Sequence, residues 1–337
     1  MNRVTAIDAF RGFTMILLIG EGFGILEMQD RAWARPLAAQ FVHAEWEGLR
    51  FWDLIQPFFM FIVGAVIPWS LEKRLAAGEK LWPRVLRRSG LLVLWGLIAR
   101  SIRAGRPVID LINVLAQISF TYPVGVAVGA RSPNVQMAVA LGLLMAHTVA
   151  YVAAGQPWTP GENLGEVIDR AIFGRNWGGH YATINCVSSA ANTVFGVVAG
   201  QLLRQRALRR LGQLSAALII AGLALSPWIP IIKKIWTASF ALLSGGLSMA
   251  ALLVFWYLCE QRGWRLRLLT MVGANSIFIY LFHEILEQWL TQTAKVFTGW
   301  GTAYWPDFLL AFNTLVVVAF QIWICVWLYR RNIFFKL

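Results

Sequence analysis

Charge is scarce in this sequence. Only 14% of the 337 residues are Asp, Glu, Lys or Arg, against about a quarter in an ordinary soluble domain. Acidic residues are the scarcer kind, 17 against 30 Lys and Arg. Cysteine occurs three times and histidine four times. Cys186, Cys259 and Cys325 have no motif spacing and sit in or beside apolar stretches, which excludes a disulfide scaffold and reads as packing. The sequence has no HExxH, CxxC, GxSxG or P-loop, so a metal site and a serine hydrolase find no support. No Pro- or Gly-rich linker and no internal repeat divides it.

Apolar residues are abundant instead. They make up 58% of the chain, with 17 Trp and 21 Phe, and mean hydropathy is +0.59. A soluble chain of this length has no core large enough for that surface. The composition therefore implies an all-α, polytopic membrane protein forming a single domain over residues 1–337. The net charge of +13 is assigned to loops facing anionic lipid, with no call for nucleic acid.

Runs long enough to cross about 30 Å of hydrocarbon fall at 9–29, 51–71, 86–102, 110–129, 134–154, 186–203, 213–230, 235–258, 271–290 and 308–329, predicting about ten transmembrane helices. The first carries Asp8 and Arg11 at its start, unlike a cleaved signal peptide, and is expected to be retained. With the N-terminus inside, the inner loops hold 18 Lys and Arg, from Arg3 to Lys336, and the outer loops 10. Both termini are thus expected in the cytoplasm. Lys233–Lys234 breaks the trend in a short outer loop, which hints at a use for that charge. The longest outer segments, about 30–50 and 155–185, are rich in Trp, Gly and polar groups, and "GRNWGGHYATINC" is too irregular for a helix.

Ionisable groups within a span are expensive and need a partner, water or a task. Asp8 and Arg11 share a helix face, as an interfacial ion pair or as a contact for an anionic ligand. In "HAEWEGLRFWDL" a turn at Gly48 allows His43 and Asp53 to meet, the minimum for a general base; an interfacial His beside a helix-capping Asp is the plainer reading of that spacing. His283 falls past the midplane, about 18 Å from the inner end of the ninth run, where it could line one cavity with His43, while Glu284 points to another face. His147 reads as packed and His180 as solvated. On these residues alone a transmembrane acyltransferase, a secondary transporter relaying protons through Asp53, Glu21 and His283, and a non-catalytic lipid-binding scaffold all remain open.

Several blocks resemble the heparan-α-glucosaminide N-acetyltransferase family. "IDAFRGFTMILLI" is similar to its S-[LV]-D-x-x-R-G opening, and "HAEWEGLRFWDLIQPFFMFIVGAVI" to its H-A-x-W-x-G-x-x-x-x-D-L block. "VLAQISFTY", "PIIKKIWTASF" and "GANSIFIYLFHEIL" follow in the family's order. The resemblance implies acetyl transfer from cytosolic acetyl-CoA to an acceptor across the membrane. It implies a catalytic pair, His43 and Asp53, and a substrate set of Trp46, Glu47, Gly48, Lys233, Trp236, Asn275, His283 and Glu284. Asp8, Arg11, Arg84, Arg87 and Arg88 are the candidates for holding the acyl donor; Asn275 and Trp46 are candidates for the oxyanion. Direct transfer and an acetyl-His intermediate both fit, and no metal is expected. The expected partners are acetyl-CoA, an external amino sugar or glycan and membrane lipid, with a homodimer open, in a bacterial inner membrane. The sequence departs from the family at Gly22–Phe23, where an Asn-Tyr is expected, and at Ile232 and Ser119, in place of an Asn and an Arg. These departures bear on the acceptor more than on the donor.

Overall fold

The computed structural model describes residues 4–301 and 304–335; Arg3 and Lys336, which entered the count of inner charges, lie outside the described residues. Helix follows the apolar runs. It forms α1 (Thr5–Gly20), α2 (Arg35–Ala38), α3 (Ile55–Ala76), α4 (Leu81–Ala104), α5 (Val114–Val128), α6 (Pro133–Ala153) and α7 (Leu164–Phe173). These are followed by α8 (Asn185–Arg204), α9 (Leu208–Leu225), α10 (Ala238–Trp256), α11 (Arg267–Ala274), α12 (Ser276–Thr298) and α13 (Pro306–Arg330). No strand occurs among the described residues.

Each of the ten runs coincides with a helix or a broken pair, but not all are built alike. Among the described residues, six helical stretches are long and apolar enough to cross a membrane, and a seventh if α11 and α12, bent by 75°, count as one span. α1 and α5 are short, at 16 and 15 residues, and α4 carries five arginines, Arg84, Arg87, Arg88, Arg100 and Arg103. The first run is corrected at its end: the helix stops at Gly20, because Glu21, Gly22, Phe23 and Gly24 all take positive φ. The outer segment 155–185 contains α7, which the sequence analysis did not foresee; "GRNWGGHYATINC" supplies one 3-10 turn, Gly178–His180, and the first two residues of α8.

α8 is the centre of the bundle: 83% of its apolar window is buried inside the protein, against 22% for α9 and 28% for α6. It lies in parallel along α3 with the two backbones in contact. A Cβ on Gly196 would stand 2.0 Å from the Phe61 carbonyl oxygen, and one on Gly64 1.9 Å from that of Thr193. Small residues at helix contacts are the usual means of association where lipid removes the hydrophobic drive. Polar side chains complete the core. Thr193 Oγ1 donates to Thr121 Oγ1 at 2.9 Å, and Asn192 Nδ2 to Ser244 Oγ at 3.1 Å, so these buried groups find partners in neighbouring helices.

Candidate active site

The segment before α3 folds around one carboxylate. Gly48, at φ +110, allows the chain to turn, and its N–H donates to the Ile231 carbonyl at 2.8 Å, fixing this loop to the one before α10. Asp53, 1% exposed, accepts the backbone N–H groups of Ala44 (3.2 Å) and Arg50 (2.9 Å) on Oδ2. Its Oδ1 lies 2.8 Å from His43 Nδ1. A carboxylate accepts, so Nδ1 carries the proton and Nε2 keeps its lone pair.

Lys233 comes from the turn between α9 and α10. Thr237 Oγ1 donates to the Pro230 carbonyl at 2.8 Å and accepts the Ile232 N–H at 3.0 Å. Trp236 is buried at φ +52 and donates its indole N–H to Asn192 Oδ1 at 3.0 Å. The turn holds Lys233 Nζ 3.0 Å from His43 Nδ1, 3.3 Å from Nε2 and 3.7 Å from Asp53 Oδ1. A point so close to both ring nitrogens overlaps the carbon between them unless it lies off the ring plane. The ammonium therefore stands over the face of the imidazole and pairs with the carboxylate.

Burial pushes the His43 pKa below its ordinary 6.5; the hydrogen bond to Asp53 opposes this and the Lys233 charge adds to it. Burial likewise lowers Lys233 to about 8, with Asp53 opposing. The His43 side chain remains 39% exposed, so the base is accessible while the two groups that position it are buried.

His43, Lys233 and Tyr181 line one side of a cavity of about 190 Å³. Arg100, Asp110, Asn113, Tyr280 and Glu284 line the rest, with Gln56 beside them. Arg100 Nε donates to Asp110 Oδ2 at 2.9 Å, and Asp110 Oδ1 accepts the Ile112 N–H at 3.0 Å. Arg103 reaches Glu284 at 3.5 Å. The sequence alone did not place Tyr181, Gln56, Arg100, Asp110, Asn113 or Tyr280 here.

Other expected residues lie elsewhere. His283 does not share a cavity with His43: neighbouring residues on a helix point about 100° apart, Glu284 takes the cavity side, and His283 Nε2 faces Glu21 at 3.4 Å. Asn275 is not an oxyanion donor here; its amide donates to the Ile333 carbonyl at 3.0 Å and accepts the Phe335 N–H at 3.1 Å, tying down the C-terminal segment. Trp236 supports the Lys233 turn from within. Trp46 donates its indole N–H to the Trp158 carbonyl at 2.9 Å, and Glu47 is exposed. Arg84, Arg87 and Arg88 occupy the other end of α4, about 18–24 Å from Arg100 by helix rise. Arg84 pairs with Glu79, and Arg88 lies 4.6 Å over the Tyr122 ring. Asp8 and Arg11 form a 3.3 Å ion pair beside Gly273.

Comparison with known proteins adds to this geometry. Residues 3–109, which include His43 and Asp53, match a family described as a domain of unknown function, DUF5009. The chain is 33% identical over 100 residues to heparan-alpha-glucosaminide N-acetyltransferase of Mus musculus, 29% of this chain and 14% of that protein. Over that stretch the chain is similar to the heparan-α-glucosaminide N-acetyltransferases. The Homo sapiens enzyme of the same name is 33% identical over 99 residues. These matches cover about 28–29% of the chain and 13–14% of the relatives' length.

Proposed function

We propose that the protein is a membrane-embedded acyltransferase, with ten spans and both termini cytoplasmic in a bacterial inner membrane. It moves an acetyl group from cytosolic acetyl-CoA to an amino sugar or glycan on the outer side. The observation that carries this reading is the His43–Asp53 contact at 2.8 Å under the Lys233 ammonium, at the edge of a cavity; the 33% identity to the N-acetyltransferases supports it.

Acetyl-CoA supplies the activated acetyl group. His43 Nε2 accepts the proton of the acceptor's amine or hydroxyl as that atom attacks the thioester carbon; the C–S bond breaks as the tetrahedral centre collapses, and the imidazolium returns the proton to the departing CoA thiolate. Asp53 fixes the tautomer and stabilises the imidazolium that forms. Lys233 presents positive charge over the same face, where it stabilises a developing oxyanion. The cavity volume, about 190 Å³, is below the roughly 300–1,000 Å³ that holds a whole drug-sized ligand. It has room for the reacting ends alone, in keeping with a donor whose nucleotide sits elsewhere. Arg84, Arg87 and Arg88, at the far end of α4, are the residues proposed to meet that nucleotide.

Acetyl-CoA is expected to raise the melting temperature in detergent in proportion to RT ln(1 + [L]/Kd), and ATP at the same concentration to do so much less. Equal protection by both, or none by acetyl-CoA, counts against the donor assigned here.

A further inference from the structure

A second imidazole, outside the cavity, is held in the same way as His43. Asn163 caps α7 by accepting the Glu166 N–H at 3.2 Å. The Glu166 side chain, fully buried, turns back into the loop. Its Oε2 accepts the Gly161 N–H at 2.6 Å and Asn163 Nδ2 at 2.5 Å. Its Oε1 accepts Nδ1 of His180 at 2.8 Å. The bond to the carboxylate puts the proton on Nδ1, so Nε2 of His180 is an acceptor, and it has no partner among the described residues.

The pair is buried at one end only. Here the carboxylate is fully desolvated, yet the His180 side chain is 49% exposed and its backbone is held at φ +64. Burial of the ring offsets neither cost. The dyad is also braced against the first one. Trp46, three residues after His43, stands edge-on to His180 with centroids 6.0 Å apart. Tyr181, the residue after His180, stands edge-on to His43 at 6.5 Å and lines the cavity. Fixed aromatic rings beside a fixed, unused acceptor suit a ligand that offers both an apolar face and hydroxyl groups.

We propose that His180, oriented by Glu166, binds a ring hydroxyl of the acceptor, and that Trp46 and Tyr181 flank the ring so bound. The inference rests on the acyl-transfer reading and on the sugar acceptor proposed with it, and adds the residues that hold that acceptor. His180 receives a hydrogen bond and takes no part in moving the acetyl group.

The test uses full-length protein, acetyl-CoA and glucosamine. His180→Asn is the chosen variant, because Asn tolerates a left-handed backbone and is too short to put an acceptor where Nε2 lies. The KM for glucosamine is expected to rise by about tenfold, the scale of one lost hydrogen bond, with kcat and the KM for acetyl-CoA within twofold of wild type. Among monodeoxy glucosamines, one is expected to lose the same factor with wild type and nothing further with the variant, because the two deletions remove a single interaction. An unchanged KM for glucosamine overturns the proposal, as does a fall in kcat alone, or a deoxy series in which no position matters to wild type. Transfer by wild type with an unaltered variant overturns this inference only; no transfer to any sugar by wild type overturns the acyl-transfer reading with it.

Discussion

Lys233 Nζ lies 3.0 Å from His43 Nδ1 and 3.3 Å from Nε2, although 190 residues separate the two in the chain. The contact joins the segment before α3 to the turn before α10. It also sets two charges against each other, since an ammonium over the ring opposes the imidazolium that a general base becomes. Asp53, between them, is what makes the arrangement workable.

That opposition fixes a pH profile. His43 must be neutral to act as base, and its pKa is held below the ordinary 6.5, so kcat/KM rises with pH along a limb that lies below that value. Lys233 must be charged, and burial brings it to about 8, so the rate falls as pH rises through about 8. Lys233→Arg, whose guanidinium stays charged, should abolish the alkaline limb. An alkaline limb unmoved in that variant contradicts the role given to Lys233.

Asp53→Asn keeps the shape and changes the chemistry. An amide nitrogen facing His43 favours the wrong tautomer, which in a Ser-His-Asp triad lowers kcat about 10⁴-fold. A drop in kcat of about 10³–10⁴ is expected here, measured as acetyl transfer at saturating substrates. A loss below tenfold would remove Asp53 from the mechanism.

Asn275 separates the structure from the resemblance. An oxyanion donor lost to alanine costs about 10²–10³ in kcat. Because its amide is spent on Ile333 and Phe335, Asn275→Ala should instead hasten proteolysis of the C-terminal segment and change kcat by less than about threefold.

The α3–α8 contact gives a stability test free of catalysis. Gly196→Ala drives a methyl to 2.0 Å from the Phe61 carbonyl oxygen, and overpacking of this kind costs about 1–3 kcal/mol. Its melting temperature in detergent should fall, whereas that of Gly142→Ala, which meets nothing within 4 Å, should not.

What the sequence disclosed follows from where its information is local. His43, Gly48 and Asp53 lie within one short segment, so the dyad is readable from spacing and turn chemistry. Lys233 stood out as a positive charge in a loop where the charge rule disfavours it. The far wall of the cavity is different in kind: Arg100, Asp110, Tyr280 and Glu284 come from α4, the loop before α5, and α12, and only packing brings them together. His283 and Glu284 were misassigned to faces because one residue of helix rotation decides which side chain meets the cavity. The end of α1 depends on four successive positive φ values, which a continuous apolar run conceals. The Glu166–His180 pair spans 14 residues through a glycine-rich turn and left no periodic mark.

The most direct test of the account is transfer of label from [acetyl-14C]CoA to a panel of amino sugars by purified protein, beside a His43→Ala variant shown to fold by its melting curve. Label should appear in an amino sugar with wild type and vanish with the variant. Transfer that survives His43→Ala, or a wild type that moves no label to any acceptor, would contradict the assignment of His43 as the base of an acyltransferase.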